Sequence, residues 1–138
     1  MIRIVIDTNL YISAFINTNS RNRLNAVFSD PALEILVDPT LLSEIFQVIN
    51  RPKFTKYVTA SQINSFMELI SERCTFVFTT ISVKVSPDPK DDFLLALSQE
   101  ANAQFLLTGN KVDLLELKTF GNTRILTLTE FLDLRSMT

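Results

Sequence analysis

Carboxylates are the chemically versatile groups of this chain, and their positions are uneven. Asp7 stops a short apolar run, Ile2 to Ile6. Glu44 lies about one turn into an apolar stretch that opens with Asp38-Pro39-Thr40. Asp88, Asp91 and Asp92 crowd one short segment, and Asp113 follows the run that ends at Leu107. Several acids brought together repel one another unless a cation compensates. Hard divalent cations do so through oxygen ligands, and Mg²⁺ is typically held by a few carboxylates, water and substrate phosphate.

The absences narrow the chemistry further. The chain has no histidine, one cysteine (Cys74) and two glycines (Gly109 and Gly121). Histidine general acid–base catalysis and Ser-His or Cys-His nucleophiles are therefore excluded. A zinc site needs His or several Cys, and two glycines cannot build a phosphate-binding glycine loop. What is left is carboxylates, Lys, Tyr, Ser and Thr, or a hard metal bound by oxygen. The net charge of −2 supplies no global basic field for nucleic acid, although bound metal or a local patch can reverse the sign at a site.

Each acid also has an ordinary structural use. Asp7 can end a strand, Glu44 can favour a helix dipole, and Asp88, Asp91, Asp92 and Asp113 can cap or sit in first helical turns. Position alone leaves both uses open.

The elements that must carry these residues follow from hydrophobic pattern and punctuation. Ile2–Ile6 is a β-branched run that predicts a buried strand. Helices are expected over Leu10–Ile16 and Leu24–Phe28, with the polar segment Thr18–Arg23 as a turn between them. A second strand is expected at Glu34–Val37. Asp38-Pro39-Thr40 is a helix-start signal for the apolar face Leu41 to Ile49, which Arg51-Pro52 ends. Thr59 or Ser61 can cap a long helix through Ile70. Thr75–Val85 is rich in β-branched and aromatic residues and predicts an extended segment. Asp88-Pro89-Lys90-Asp91 opens a helix to about Ala101. A strand at Gln104–Leu107, a helical turn at Asp113–Leu117, a last strand at Arg124–Leu128 and a last helix at Thr129–Leu134 complete the pattern. Strands alternating with helices predict an α/β fold, a three-layer α/β/α sandwich around a mainly parallel central sheet, as one domain over 1–138. In such sheets ligands gather beyond the carboxyl ends of the strands, where Asp7, Asp91 and Asp113 are expected.

No apolar run reaches the roughly 18 residues a bilayer span requires. The apolar stretch at the N-terminus is short and ends at Asp7, unlike a signal peptide. With a single cysteine, these features predict a cytoplasmic protein with no membrane partner.

The order of the motifs adds a resemblance. Ile4-Val5-Ile6-Asp7-Thr8-Asn9, then Leu42-Ser43-Glu44-Ile45 with Asn50-Arg51-Pro52-Lys53-Phe54, then Asp88-Pro89-Lys90-Asp91-Asp92-Phe93-Leu94, then Thr108-Gly109-Asn110-Lys111-Val112-Asp113 resemble the four acidic motifs of the PIN-domain family, which includes bacterial toxins of the VapC type. The likeness spans nearly the whole chain. It implies a metal-dependent endoribonuclease that hydrolyses RNA phosphodiester bonds, with Asp7, Glu44, Asp91 and Asp113 holding Mg²⁺ or Mn²⁺. Asp92 is the other candidate for the third ligand. Asp91 is favoured because Ala96 and Ser98 then fall where the family usually has small residues. Thr8, Asn9, Thr108 and Asn110 are supporting candidates, and many relatives carry Asp where this chain has Asn110, which would weaken a second metal position. RNA needs cations; Arg51 and Lys53, with Lys56, Phe54 and Tyr57 interleaved, are the densest supply, and Arg21 and Arg23 form a second patch. The resemblance also implies a small antitoxin protein as partner and a homodimer. The competing readings are a PIN domain without activity that binds RNA or protein, and a phospho-receiver domain. The latter lacks the Lys expected late in the sheet, where Thr127 stands.

Overall fold

The computed structural model describes Met1–Met137. β1 (Ile2–Ile6), β2 (Leu33–Val37), β3 (Thr75–Phe76), β4 (Phe105–Thr108), β5 (Thr119–Phe120) and β6 (Thr123–Thr127) form one sheet in the order β3-β2-β1-β4-β6-β5. Every neighbouring pair is parallel except β5 with β6. Ile4, Val5 and Ile6 of the central β1 are all fully buried, as expected for a parallel strand covered on both faces.

Around the sheet run α1 (Thr8–Ile16), α2 (Thr18–Phe28), α3 (Pro39–Ile49), α4 (Pro52–Thr55), α5 (Ala60–Arg73), α6 (Asp92–Glu100), α7 (Val112–Leu115) and α8 (Leu128–Ser136). The chain steps from β1 to β2 to β3 in one direction, then returns past β1 to β4. Parallel crossovers are right-handed, so the reversal moves the connecting helix α6 to the other face and produces the three-layer α/β/α arrangement. The reversal also places a switch point between β1 and β4, the position where open sheets hold ligands beyond the strand ends.

Local chemistry explains the helix starts. Asp38 caps α3, its Oδ1 accepting the Leu41 amide at 2.8 Å, with Pro39 at the first helical position. Thr59 and Gln62 form a reciprocal capping box on α5, the arrangement that satisfies two otherwise orphan amides. The far end of α5 is tied down by Arg73, whose guanidinium donates to the carbonyls of Phe28, Asp30 and Leu33.

One sequence expectation needs correction, and two features go beyond the sequence pattern. Thr18–Arg23 is the first half of α2 and not a turn. Asn17 accepts the Ser20 amide at 3.0 Å and starts a helix that buries only Leu24 and Val27, too few apolar positions to mark a periodic face. Thr75–Val85 joins the sheet only through Thr75–Phe76. β2 ends at Val37, whose carbonyl accepts the Val77 amide at 2.8 Å. Beyond it the segment is held by side chains, with Thr79 donating to Asp38 and Thr80 to Glu100. The two-residue β5 was not anticipated. Lys118 leads into it and Gly121 turns it back on β6, at positive φ of 60° and 56°, the region that glycine enters without strain.

Candidate active site

At the switch point the ends of β1 and β4 meet. Asp7 follows the last residue of β1 and is the N-cap of α1, yet its side chain makes no capping hydrogen bond. An N-cap aspartate ordinarily accepts from its own helix. Here the carboxylate instead turns to the neighbouring strand, where the Thr108 hydroxyl donates to Asp7 Oδ2 at 2.9 Å. Both residues are fully buried. Asp7 Oδ1 is a buried polar atom without a hydrogen-bond partner, an uncommon and costly condition. Its nearest cation is Lys111, whose Nζ stands 4.0 Å away.

Lys111 is the N-cap residue of α7. Its ammonium donates to Asp91 Oδ1 at 2.6 Å, so one cation faces two buried acids. Burial holds the Asp7 carboxyl above the usual range, with the Asp91 charge adding to the rise. Lys111, the Thr108 hydroxyl and the nearby Asn9 amide pull it back only in part. For Lys111, burial opposes the charged form, but the Asp91 hydrogen bond and the charges of Asp7, Asp91 and Glu44 outweigh it and raise its pKa.

The three aspartates of the 88–92 segment divide their work. Asp88 accepts the Lys90 amide at 3.1 Å and starts the 3₁₀ turn Pro89–Asp91. Asp92 Oδ1 accepts the amides of Val85 and Ser86, at 3.2 and 2.8 Å. Asp91, between them, makes no capping bond and is the one that meets Lys111. Glu44, half-buried on α3, accepts the Thr8 hydroxyl at 2.7 Å on Oε2. Asp7 and Asp91 thus flank one ammonium, and the Glu44 charge adds to the field on it, while Asp113, half-buried in the first turn of α7, is not among the acids acting on it. Among the described residues no three acids stand close enough together to hold one metal ion. Asn9 and Asn110 are exposed.

The cations anticipated for RNA lie elsewhere. Arg51 is the exposed N-cap of α4. Lys53 covers the Phe54 ring at 5.0 Å from its centroid and lines a groove of about 450 Å³ with Phe15, Ile16, Arg21 and Tyr57. That groove shares no residue with the open groove of about 490 Å³ beside Glu44, lined by Thr40, Ser43, Gln47, Lys90 and Phe93. Arg21 is committed to the α1 carbonyls of Ala14 and Phe15, and Arg23 donates to Thr129. Sequence reasoning missed Lys111 and Lys90. Both lie inside the acidic motifs, and a lysine within an acid cluster was itself the available signal.

The donor chemistry suits an oxygen-seeking divalent ion: all-oxygen ligands, and one buried carboxylate oxygen left without a hydrogen-bond donor. Among the described residues no helix is long and apolar enough to cross a membrane.

Comparison with known proteins bears on the family and the fold. The chain is 29% identical over 127 residues to an uncharacterized protein of Methanocaldococcus jannaschii, covering 85% of this chain and 76% of that one. Its fold is similar to a chain in the crystal structure of VapBC2 from Rickettsia felis bound to a DNA fragment from their promoter, with a TM-score of 0.62, 14% identity, and 91% and 98% of the two chains covered. A domain of a functionally unknown protein from Methanocaldococcus jannaschii is similar at a TM-score of 0.51 and 17% identity, covering 91% of each chain. At these identities the two solved structures speak for the fold alone. The family model described as PIN domain matches residues 3–112, from the start of β1 to one residue short of Asp113, and on that match the chain belongs to the PIN domain family.

Proposed function

We propose that this protein is a divalent-metal-dependent endoribonuclease whose site is formed by Asp7, Glu44, Asp91 and Asp113. The observation that carries the reading is the buried, unpartnered Oδ1 of Asp7 at the β1–β4 switch point, facing Asp91 across a shared cation. Membership of the PIN domain family, whose members are generally nucleases, supports hydrolysis of a phosphodiester. Asp7 and Asp91 would hold Mg²⁺ or Mn²⁺, with Glu44 and Asp113 as the further ligands drawn in when the ion binds. A bound ion of this kind lowers the pKa of water and offsets charge on the phosphate. Thr108 fixes the direction of the Asp7 carboxylate, and Thr8 that of Glu44. Lys90 and Phe93, in the groove beside Glu44, offer a phosphate contact and a face for base stacking. Arg51, at the start of α4, and Lys53, in a separate groove, would contact the RNA away from the cleaved bond.

The test is internal cleavage of a labelled single-stranded RNA. Cleavage is expected with Mn²⁺ or Mg²⁺ and none in EDTA. Intact RNA across a range of both metals would reject the reading. It would favour the second one, a PIN domain that binds RNA or protein without cutting, which the lysine lodged between the acids supports. The motif resemblance to VapC-type toxins supports a toxin role with a small antitoxin as partner, and the single cysteine a reducing cytoplasm. Co-expression with the product of a short adjacent reading frame, followed by copurification, tests that part.

The reading includes a homodimer. Phe46 on α3 and Leu69 on α5 are 47% and 51% exposed, on two helices that pack against each other. Sedimentation at about ten times a micromolar dissociation constant is expected to show a dimer, and Phe46→Glu with Leu69→Glu to give a monomer. A monomeric unmodified protein at that concentration removes the dimer from the proposal.

A further inference from the structure

We propose that Lys111 is the resident cation of the metal-free site, and that a divalent ion binds by displacing its ammonium from between Asp7 and Asp91. This rests on the metal-site reading above and adds a competitor from within the chain.

The argument begins with charge. Two buried carboxylates near one another cannot both stay ionised without a compensating cation. Lys111 supplies it, 2.6 Å from Asp91 Oδ1 and 4.0 Å from Asp7 Oδ1. The pairing is uneven. Asp91 holds a short charge-assisted hydrogen bond, whereas Asp7 Oδ1 has no hydrogen-bond partner. The ammonium therefore neutralises the pair without saturating it, and leaves one oxygen ready for a harder cation. The lysine can leave. Its side chain is 29% exposed against 1% for Asp7 and 3% for Asp91, and it hangs on a flexible four-carbon stem. The carboxylates stay, because Thr108 anchors Asp7 from the adjoining strand and Asp91 is built into the start of α6. Lysine and metal ion contend for the same two oxygens, so the affinity for metal is set below what the acids alone would give. The cation that keeps the empty site folded is thereby the one that limits its loading.

The test is Mn²⁺ binding measured by calorimetry on the full chain, with no substrate present. Lys111→Met is expected to bind Mn²⁺ roughly 10–100-fold more tightly than the unmodified protein, the factor for a hydrogen bond to a charged group that no longer has to be broken. Lys111→Arg keeps the competing charge and should stay near the unmodified affinity. Lys90→Met removes a nearby charge without touching the pair and should shift affinity much less. Unchanged or weaker Mn²⁺ binding by Lys111→Met, alongside measurable binding by the unmodified protein, overturns the displacement and leaves the metal site standing. Absence of binding in both overturns both. Because the variant loses its internal cation, it is checked for folding by circular dichroism, and the unmodified protein provides an independent readout. On adding Mg²⁺, the Lys111 side-chain ¹⁵N resonance should move to that of a free lysine. A resonance that does not move, while Mg²⁺ is bound, also overturns the proposal.

Discussion

Asp7→Asn is expected to abolish RNA cleavage while making the metal-free protein more stable at neutral pH. The two effects have one origin. The carboxylate is fully buried, one oxygen is without a hydrogen-bond partner, and burial raises its pKa above the ordinary aspartate value of 3.8. A raised folded-state pKa means that the fold prefers the protonated form. The stability this group contributes is fully present below about pH 3.8 and is lost as pH rises through the folded value. Asparagine keeps the shape and can still accept from Thr108, but it never ionises, so the loss disappears. The difference in stability between variant and unmodified protein in EDTA should be small at low pH and should grow, in favour of the variant, toward neutrality. With Mn²⁺ the order reverses. A ligand that binds only the folded state stabilises it by about 2.7 kcal/mol at 100 times its dissociation constant, and the variant lacks a principal ligand for it. Cleavage should fall by more than the ~10–100-fold typical of losing an outer hydrogen-bond partner of a metal ligand. Thermal unfolding in EDTA and in Mn²⁺, paired with the RNA assay, checks both halves. A variant that cleaves like the unmodified protein, or that is destabilised in EDTA at pH 7, contradicts this account of Asp7.

How much of this could be read before folding depends on whether a signal is local. β1 was legible because a β-branched run ends abruptly at Asp7, and α3 because Asp38-Pro39 is a cap followed by a helix-compatible proline. α5 was legible through Thr59, although Ser61 competed for the role; the reciprocal bond to Gln62 decides for Thr59. The first half of α2 was not, because its residues are polar and its stability comes from the Asn17 cap and from packing on α1 and α8. The Asp88, Asp91 and Asp92 cluster shows the boundary most clearly. Composition says that some of the three must cap and staple, but only the path of the 77–86 segment determines that Asp92 takes the Val85 and Ser86 amides and leaves Asp91 facing inward. Lys111 is the same kind of case. It stands in plain view in Thr108–Asp113, yet its partner Asp91 is 20 residues away in the chain, and nothing local assigns the ammonium to that acid.

Thr108→Val tests whether the meeting of β1 and β4 sets the chemistry or only the fold. Valine is close in shape and equally at home in a strand, so β4 and its register with β1 and β6 should survive. What disappears is the donor at 2.9 Å to Asp7 Oδ2. Asp7 would then have lost its one side-chain hydroxyl donor, with Lys111 and the nearby Asn9 amide as the remaining counterweights to burial. Leaving a buried acceptor unpaired costs about 1–3 kcal/mol, and more for a charged group. The Thr108 bond lowers the Asp7 pKa, so its removal raises that pKa further. The stability deficit should therefore widen as pH rises above the folded value and narrow under acid, where Asp7 is protonated. Orientation should suffer as well: an acid free to rotate holds a metal less well, and cleavage is expected to fall about 10–100-fold, the range for loss of an outer-shell partner. Thr108→Ser, which restores the hydroxyl, should recover most of both effects. In the Asp7→Asn background, Thr108→Val should be far milder, because the charge that made the hydrogen bond valuable is gone, and the double-mutant cycle should report coupling between the two sites. If Thr108→Val and Asp7→Asn instead add independently, in stability at pH 7 and in Mn²⁺ affinity alike, the hydroxyl is a strand-end fixture and Asp7 owes its orientation to some other contact.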